Sequence, residues 1–520
     1  MAITFPGPLP FSAVSLLAWS VAAYFAWLVV YRCFLSPLAR IPGPMLAGLT
    51  YWYECYYDVI QPAQYVFKIK EMHEKYGPIV RIGPNDVSIV DPDFIDTVYA
   101  PGPGHKRDKD YTKNKALGVD SSVGGAIAHD LHRRRREALN PCFSPQRIHR
   151  NLDSKLKDKA SQLEHVFSQA KERGEVLNLS DVYFAFANDI VHEYCFGNSP
   201  NLLGDLALAH TRRTNVAAVL GSVKVMLHFS WLRDLTKMLP QSIASGMTPP
   251  GVRDMIAFRR NIRAQIDRIL ASSSSSSSSD TTTTTPSSIF THLRDSPSLP
   301  PSEKSAQRLE DEATLLVMAG TYSPMLSLVT AHYHLLANPT ILSNLRAELL
   351  PHKSSLLTIA ELEQLPYLSG IIHEAHRLTF GLTGRNARVS PDDSLTYKSY
   401  NLPAGTSISV PTLVVHTDES LFPDPWRFDP ERWIVGTMGN ETMVRRRMKA
   451  LLAFGRGPRA CVGMHLADAQ MAVAVAAMAS WEMGLFETHE GDVRFCHDYH
   501  VLCPRLGSRG VRVEVLGKEE

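Results

Sequence analysis

The 520-residue chain has no C-x-x-C pair, no internal repeat and no excess of either charge. Its seven cysteines, at 33, 55, 142, 195, 461, 496 and 503, are scattered and odd in number. That excludes the disulfide framework of small secreted domains and fits a reducing compartment. A net charge of +2 removes the electrostatic footprint of a nucleic-acid binder. No charge interrupts the run from Phe11 to Tyr31, and no Lys or Arg precedes it. A cleaved secretory leader, the rival reading, carries leading positive charge and a shorter apolar core. About twenty helical residues span roughly 30 Å of hydrocarbon, so 11–31 is expected to be an uncleaved transmembrane anchor. Arg32 and Arg40 follow it, which places residues 1–10 in the lumen and the remainder in the cytosol.

Behind the anchor, 32–45 ends in Ile41-Pro-Gly-Pro44, a rigid hinge because each proline fixes φ and excludes helix. The chain is 44% hydrophobic, enough for a large core, and shows no second composition regime. Residues 46–520 are therefore expected to be one catalytic domain. Arg81 to Asp91 reads as two short strands around Gly83-Pro-Asn85. Beyond Asp130 the pattern is mostly helical, and Ser390 to Pro411 suggests a small sheet. Ser272 to Thr285 holds eight serines, one Asp and five threonines. It cannot pack a core, so 271–288 is expected to be a disordered surface loop. Glu303 to Asn338 is a long helical run, apolar on all sides from Ala313 to Gly320, as in a helix that crosses a protein interior.

Phe454-Gly-Arg-Gly-Pro-Arg-Ala-Cys461-Val-Gly463 encloses one cysteine in a glycine-rich turn ahead of an apolar helical run. N–H donors and the positive helix end are expected to lower the thiol's pKa. Gly455, Gly457 and Gly463 would let the backbone approach a porphyrin, and Arg459 could reach a haem propionate. The bland alternative is a buried structural cysteine in a Gly-rich loop. The decapeptide resembles the haem-binding signature of the cytochrome P450 family, Phe-x-x-Gly-x-Arg-x-Cys-x-Gly, with every specified position filled. The resemblance implies haem b held by Cys461 as axial iron ligand, with Phe454, Gly455 and Gly463 around it. It also implies a mainly α fold with a small β-rich part, a single haem domain behind the anchor.

Further segments fall in that family's order. Glu374-Ala-His-Arg377 and Phe428-Asp-Pro-Glu-Arg-Trp433 resemble its Glu-x-x-Arg helix and its Pro-Glu-Arg-Phe segment, with Trp433 standing for Phe. A structural triad of Glu374, Arg377 and Arg432 is implied. His132 and Arg136, one helical turn apart, match a Trp-x-x-x-Arg pair with His132 replacing Trp. Arg388 matches a propionate-binding arginine. Of the run Arg133 to Arg136, two residues are expected to form a solvated basic face that could meet an acidic electron donor. In Cys496-His-Asp-Tyr-His500-Val-Leu-Cys503 a zinc site could be drawn, but adjacent ligands point apart on a strand. The family analogy makes this region a hairpin reaching the substrate pocket.

The long helix departs from the family's small-Gly-x-acid-Thr segment. Here it reads Ala319-Gly-Thr-Tyr322-Ser323-Pro324. Tyr322 keeps its proton near neutral pH and cannot replace a carboxylate shuttle. Ser323 and Thr321 are the candidate catalytic hydroxyls. Pro324 cannot bond the carbonyl of Gly320 and should kink the helix. The segments Arg81 to Ser88 and Arg134 to Ser144 look like fungal enzymes of secondary metabolism, including the trichodiene oxygenase group. The resemblance implies a monooxygenase of the endoplasmic reticulum membrane acting on a hydrophobic natural product. NADPH-cytochrome P450 reductase would supply electrons, with cytochrome b5 as a further donor, and no fused flavin domain is expected. The alternatives are rearrangement or dehydration without oxygen insertion, and a non-catalytic haem protein.

Overall fold

Phe11–Val30 forms one helix (α1), as a run without charge, proline or glycine predicts. None of the apolar stretch Ala13–Leu35 is buried against the protein. The computed structural model describes residues 11–114, 118–232, 250–272, 288–352, 357–436 and 440–519. The expected lumenal residues 1–10, and all but the ends of the Ser/Thr-rich segment, lie outside the described residues. The hinge is docked. Pro42 accepts a hydrogen bond from the Arg81 N–H at 2.8 Å, and a Cβ on Gly43 would lie 2.4 Å from the Arg81 carbonyl oxygen.

That contact seats the hinge on a five-stranded sheet. Its members are β1 (Ile79–Arg81), β2 (Asp86–Ile89), β3 (Asp108–Lys109), β4 (Arg388–Val389) and β5 (Ser407–Ser409), in the order β1-β2-β5-β4-β3. Only β2 and β5 run parallel. The two strands expected around Gly83-Pro-Asn85 are β1 and β2. Leu395–Tyr397 and Tyr400–Leu402 add a hairpin within the segment expected to hold a sheet. A further hairpin, β6 (His497–Asp498) and β7 (Leu502–Cys503), closes the C-terminal region.

The helical part is built around Ala306–Ala337. The helices used below are α2 (His129–Leu139), α3 (Leu179–Phe196), α4 (Leu206–His228), α5 (Pro250–Ala271), α6 (Ala306–Ala337), α7 (Pro366–Thr379) and α8 (Met464–Ala479). α6 packs against α3, α5, α7 and α8, so it crosses the interior as its all-round apolarity requires. The Ser305 hydroxyl caps its start. A Cβ on Gly320 would meet Val191 Cγ2 at 2.7 Å, so that glycine permits the close crossing with α3. The helix is continuous across Pro324, where a kink is expected. Neighbouring helices hold both sides of the proline, and tertiary packing outweighs its local cost.

Buried histidines make this core acid-sensitive. His332 lies flat on Tyr183 with ring centroids 4.7 Å apart, and His416 lies between two backbone partners. Burial pushes both rings down to about 3. The unfolded chain binds these protons below the ordinary histidine value while the folded chain does not. Stability therefore falls as pH drops from about 6.5 toward 3, by about 2 kcal/mol per histidine at pH 5. Thermal melts at pH 5 and pH 7 should show this slope, and His332→Gln should reduce the loss at pH 5 by about 2 kcal/mol.

Candidate active site

The Cys461 loop is shaped by its own backbone. The Cys461 N–H donates to the Phe454 carbonyl at 2.7 Å, and the Ala460 N–H to that of Gly457 at 2.9 Å. Gly455 and Gly457 have φ of 67° and 71°, the left-handed region that favours glycine. A Cβ on Gly457 would also sit 2.1 Å from the Tyr99 carbonyl oxygen. Gly463 has ordinary backbone, and a Cβ there would find only the Cys461 sulfur at 4.0 Å. Conformation and the approach of Tyr99 explain the first two glycines, whereas the protein itself makes no steric demand at Gly463.

The Cys461 thiol opens into a cavity of about 260 Å³ between this loop and α6. Cys461 is exposed to this cavity, yet desolvation by the surrounding protein raises its pKa, against the expectation of a lowered one, while the Gly463 N–H and the Arg136 charge pull the other way. Arg136 spends its donors elsewhere. It bonds the Ala460 carbonyl at 2.5 Å, the Cys461 carbonyl at 3.4 Å and Asn140 at 2.6 Å. Arg136 thus holds the loop and does not line the cavity. His132 is buried behind it, its pKa brought down to about 3 by burial and then by Arg459, Lys109, Arg136 and Arg388. It too lies outside the cavity lining. On the same helix Arg133 and Arg134 are exposed, whereas Arg135 forms two bonds to Glu303, at 2.7 and 3.1 Å.

Three cations face the cavity: Arg459, Arg388 and Lys109. Arg459 donates to the carbonyls of Arg107, Ala126 and Ile127, and its pKa falls to about 10 through burial and the neighbouring Arg388. Arg388 lies over the Tyr99 ring, 5.2 Å from its centroid, and bonds the Asn386 side chain at 2.9 Å. Sequence reasoning missed Lys109. The β3–β4 register sets it directly across from Arg388, and its pKa drops to about 7 through burial, then Arg388 and Arg459. Like charges opposite each other destabilise a sheet. No Asp or Glu is among the residues lining this cavity. An apolar slot with one thiol, three cations and no carboxylate fits haem, whose two propionates would balance the charge. Cys461 would hold the iron, and Lys109, Arg388 and Arg459 the propionates, with Phe454, Gly455 and Gly463 lining the slot.

The Cys461 loop is braced by the triad. Glu374 and Arg377 are fully buried and joined by two bonds of 2.7 and 2.8 Å. The Arg432 Nε stands 3.4 Å from Glu374 as an ion pair, while its hydrogen bond goes to the Asp424 carbonyl at 2.9 Å. Trp433 donates its indole N–H to Glu374 at 3.0 Å, which a phenylalanine could not do. Arg377 bonds the His416 carbonyl, and the His416 ring accepts from the Leu452 N–H at 2.9 Å. A continuous chain thus runs from Glu374 to the segment that enters the cysteine loop. His416 had no sequence signal because its partners lie far away in the chain.

A second cavity, about 300 Å³, continues from the first and shares with it Lys109, Ala319, Ser323, Leu382, Asn386 and Arg388. Ser323 faces both. Thr321 does not: it accepts from Asn188 at 3.0 Å, donates to the Val317 carbonyl, and lines a 530 Å³ cavity that meets the second one at Val216, Met318 and Tyr322. Two residues of helix turn through about 200°, so Thr321 and Ser323 cannot serve one site, and Thr321 is withdrawn as a catalytic candidate. The zinc arrangement also fails to assemble, since His497 is engaged by Pro62 and Gln64.

The cytochrome P450 family profile matches residues 50–480. The chain belongs to the cytochrome P450 family. It is 37% identical to cytochrome P450 monooxygenase tpcC of Cochliobolus heterostrophus, over 98% of both chains. Conidiogenone synthase PchP450 of Penicillium rubens is 33% identical (96% of this chain, 99% of that one). Cytochrome P450 monooxygenase TRI4 of Trichoderma arundinaceum is 31% identical, over 94% and 92%. A crystal structure of the cytochrome P450 CYP102L1 superposes with a TM-score of 0.67 at 18% identity, covering 86% of this chain and 97% of that one. The enzyme is thus a P450 monooxygenase with the P450 fold and a general role in fungal secondary metabolism.

Removing the carboxylate in Glu374→Ala leaves two buried guanidiniums uncompensated, at a cost of about 3–5 kcal/mol. Trp433→Phe removes one donor, about 1 kcal/mol. The ratio of haem to protein absorbance in purified protein should collapse in the first variant and stay near wild type in the second.

Proposed function

We propose that this P450 is an NADPH- and O2-dependent monooxygenase that hydroxylates or oxidises a hydrophobic natural-product intermediate, a terpenoid, polyketide or hybrid. Electrons arrive from NADPH-cytochrome P450 reductase, with cytochrome b5 as an auxiliary donor. The observation that carries the reading is the continuity of the thiol-bearing cavity with a chamber walled by Val216, Leu220, Val223, Leu315, Met318 and Leu382. Haem bound at Cys461 supplies oxygen activation, the thiolate favouring O–O cleavage. The chamber orients an apolar substrate and excludes water. Ser323 places a hydroxyl, unbonded within the described residues, at the junction of the two spaces. Pro324 has no N–H for the Gly320 carbonyl, and Gly320 lines the Cys461 cavity. A water held there would link Ser323 to bulk protons in place of the family's acid.

The charge-free α1 supports a single-pass anchor of the endoplasmic reticulum membrane. Leu46, Trp52, Ile60 and Trp231 expose further apolar surface on the domain itself, consistent with a catalytic body resting on a bilayer. The conidiogenone synthase relative, named for its product, supports a natural-product substrate.

One observation favours a second reading. Tyr322 stands at the acid position, and burial pushes its pKa up to about 12. Weak proton delivery suits rearrangement or dehydration without oxygen insertion. Comparative mass spectrometry of host extracts with and without the gene separates the two. The monooxygenase reading expects a lost product heavier than the accumulated precursor by oxygen. A precursor of equal mass, or heavier by water, supports the second. With that precursor in hand, Ser323→Ala should lower the product formed per NADPH consumed by about tenfold or more, in line with loss of a proton-transfer group. Unchanged coupling removes Ser323 from the proton path.

A further inference from the structure

The chamber beyond Ser323 is apolar along α4 and α6 but carries a strongly polar far wall. Its ions are matched within the protein. Glu54 takes Lys113 at 2.6 Å and also Arg385, which in turn reaches Asp86 at 3.3 Å. Lys224, on α4, lies between Asp498 at 2.7 Å and Asp58 at 3.2 Å. Asp110 accepts from the Ser407 hydroxyl at 2.7 Å. Lys109 and Arg388 stand at the opposite end, beside the Cys461 cavity. A charged substrate would find no unmatched counter-ion on that wall, and desolvating an unpaired charge costs several kcal/mol.

Two polar side chains away from the Cys461 cavity, His500 in the chamber and Tyr322 at its junction with the 530 Å³ cavity, make no side-chain hydrogen bond with any described residue. His500 sits at the tip of the β6–β7 hairpin with φ of 77°, a left-handed conformation that costs a non-glycine residue about 1–3 kcal/mol. The surroundings hold that strained backbone in place. Asp498 accepts from the His500 N–H at 3.1 Å and from the Thr383 hydroxyl at 2.6 Å, and the His500 carbonyl accepts from the Thr383 N–H at 3.1 Å. The turn is thus over-determined, and it presents to the chamber an imidazole that lies in the field of Asp498 and Lys224 but makes no side-chain hydrogen bond with a described residue. Burial keeps His500 neutral, its pKa brought down to about 4. Tyr322 is likewise uncharged, so both offer hydrogen bonds and neither a charge.

Resting on the monooxygenase reading above, we propose that His500 and Tyr322 form a neutral hydrogen-bonding station. It recognises a hydroxyl or carbonyl oxygen already present on an otherwise apolar, uncharged substrate. Such a pocket left without that oxygen keeps two desolvated polar groups unpaired, which is how a site rejects an analogue lacking the group. The substrate is therefore an alcohol, ketone or aldehyde and not a bare hydrocarbon or a carboxylate. A reaction that installs oxygen, by hydration, oxidation or retention from an oxygenated precursor, must precede this enzyme.

The test uses the full-length holoenzyme in membranes and needs no knowledge of the substrate. N-alkylimidazoles of graded chain length, ending in methyl, hydroxyl or carboxylate, coordinate the iron and extend into the chamber, and the Soret shift reports affinity. At one chain length the hydroxyl-ended probe should bind wild-type enzyme about tenfold more tightly than its methyl-ended partner. His500→Leu and Tyr322→Phe should erase that advantage while leaving the methyl-ended affinities in place. His500→Asn, which tolerates the left-handed backbone and keeps a donor and an acceptor, should preserve it and guards against misfolding of the leucine variant. A hydroxyl advantage at no chain length, or a preference for the carboxylate, overturns the station. Absence of any Soret response, even to methyl-ended probes, instead overturns the haem-thiolate reading beneath it.

Discussion

The buried carboxylate of Glu374 is the constraint on which the site depends. It sits without solvent between Arg377 and Arg432, and it also receives the Asp429 N–H and the Trp433 indole. A charge in that position is tolerable only if every partner stays in place. Satisfying it fixes the segment around Pro430 against α7, where a Cβ on Gly370 would lie 2.6 Å from the Pro430 carbonyl oxygen. Through Arg377 and His416 the same arrangement reaches Leu452, two residues before Phe454. The thiol is therefore positioned by electrostatics some distance from the cavity it enters.

The cavity itself inverts that logic. Glu374 is an anion fully supplied with cations, whereas Lys109, Arg388 and Arg459 are cations with no anion beside them on the cavity wall. Burial depresses the pKa of all three, and cationic neighbours add to it at Lys109 and Arg459. Protein alone leaves this arrangement unfavourable, so binding a dianionic ring relieves a cost already built into the fold. Desolvation likewise raises the Cys461 thiol, and a bound metal, which deprotonates a coordinating thiol outright, would supply what the N–H donors do not. The chamber beyond is different again: away from Lys109 and Arg388 at its Cys461 end, its ions are paired among themselves.

What the sequence made legible was local. The Cys461 loop, the Glu374–Arg377 pair on one helix face, the charge-free α1 and the all-round apolar α6 each follow from neighbours within a few residues. Lys109 was not legible, because its role comes from a two-residue strand paired across the chain with Arg388. His416 escaped for the same reason, and Trp433 was read as a stand-in for Phe when its N–H is a working donor. Thr321 was misplaced by ignoring helical rotation relative to Ser323. Arg136 and His132 lie on the expected helix, yet the first is spent on loop carbonyls and the second is held neutral among cations.

The most direct test of this account is the absorption spectrum of the reduced, carbon monoxide-bound protein, compared between wild type and Cys461→His. The account predicts the far-red-shifted Soret band of thiolate-ligated haem in the wild type. That band should be replaced by an imidazole-type spectrum, or by loss of haem, in the variant. An imidazole-type Soret band in the wild type, or a thiolate band that survives the substitution, would show that Cys461 does not hold the iron and would contradict the account at its centre.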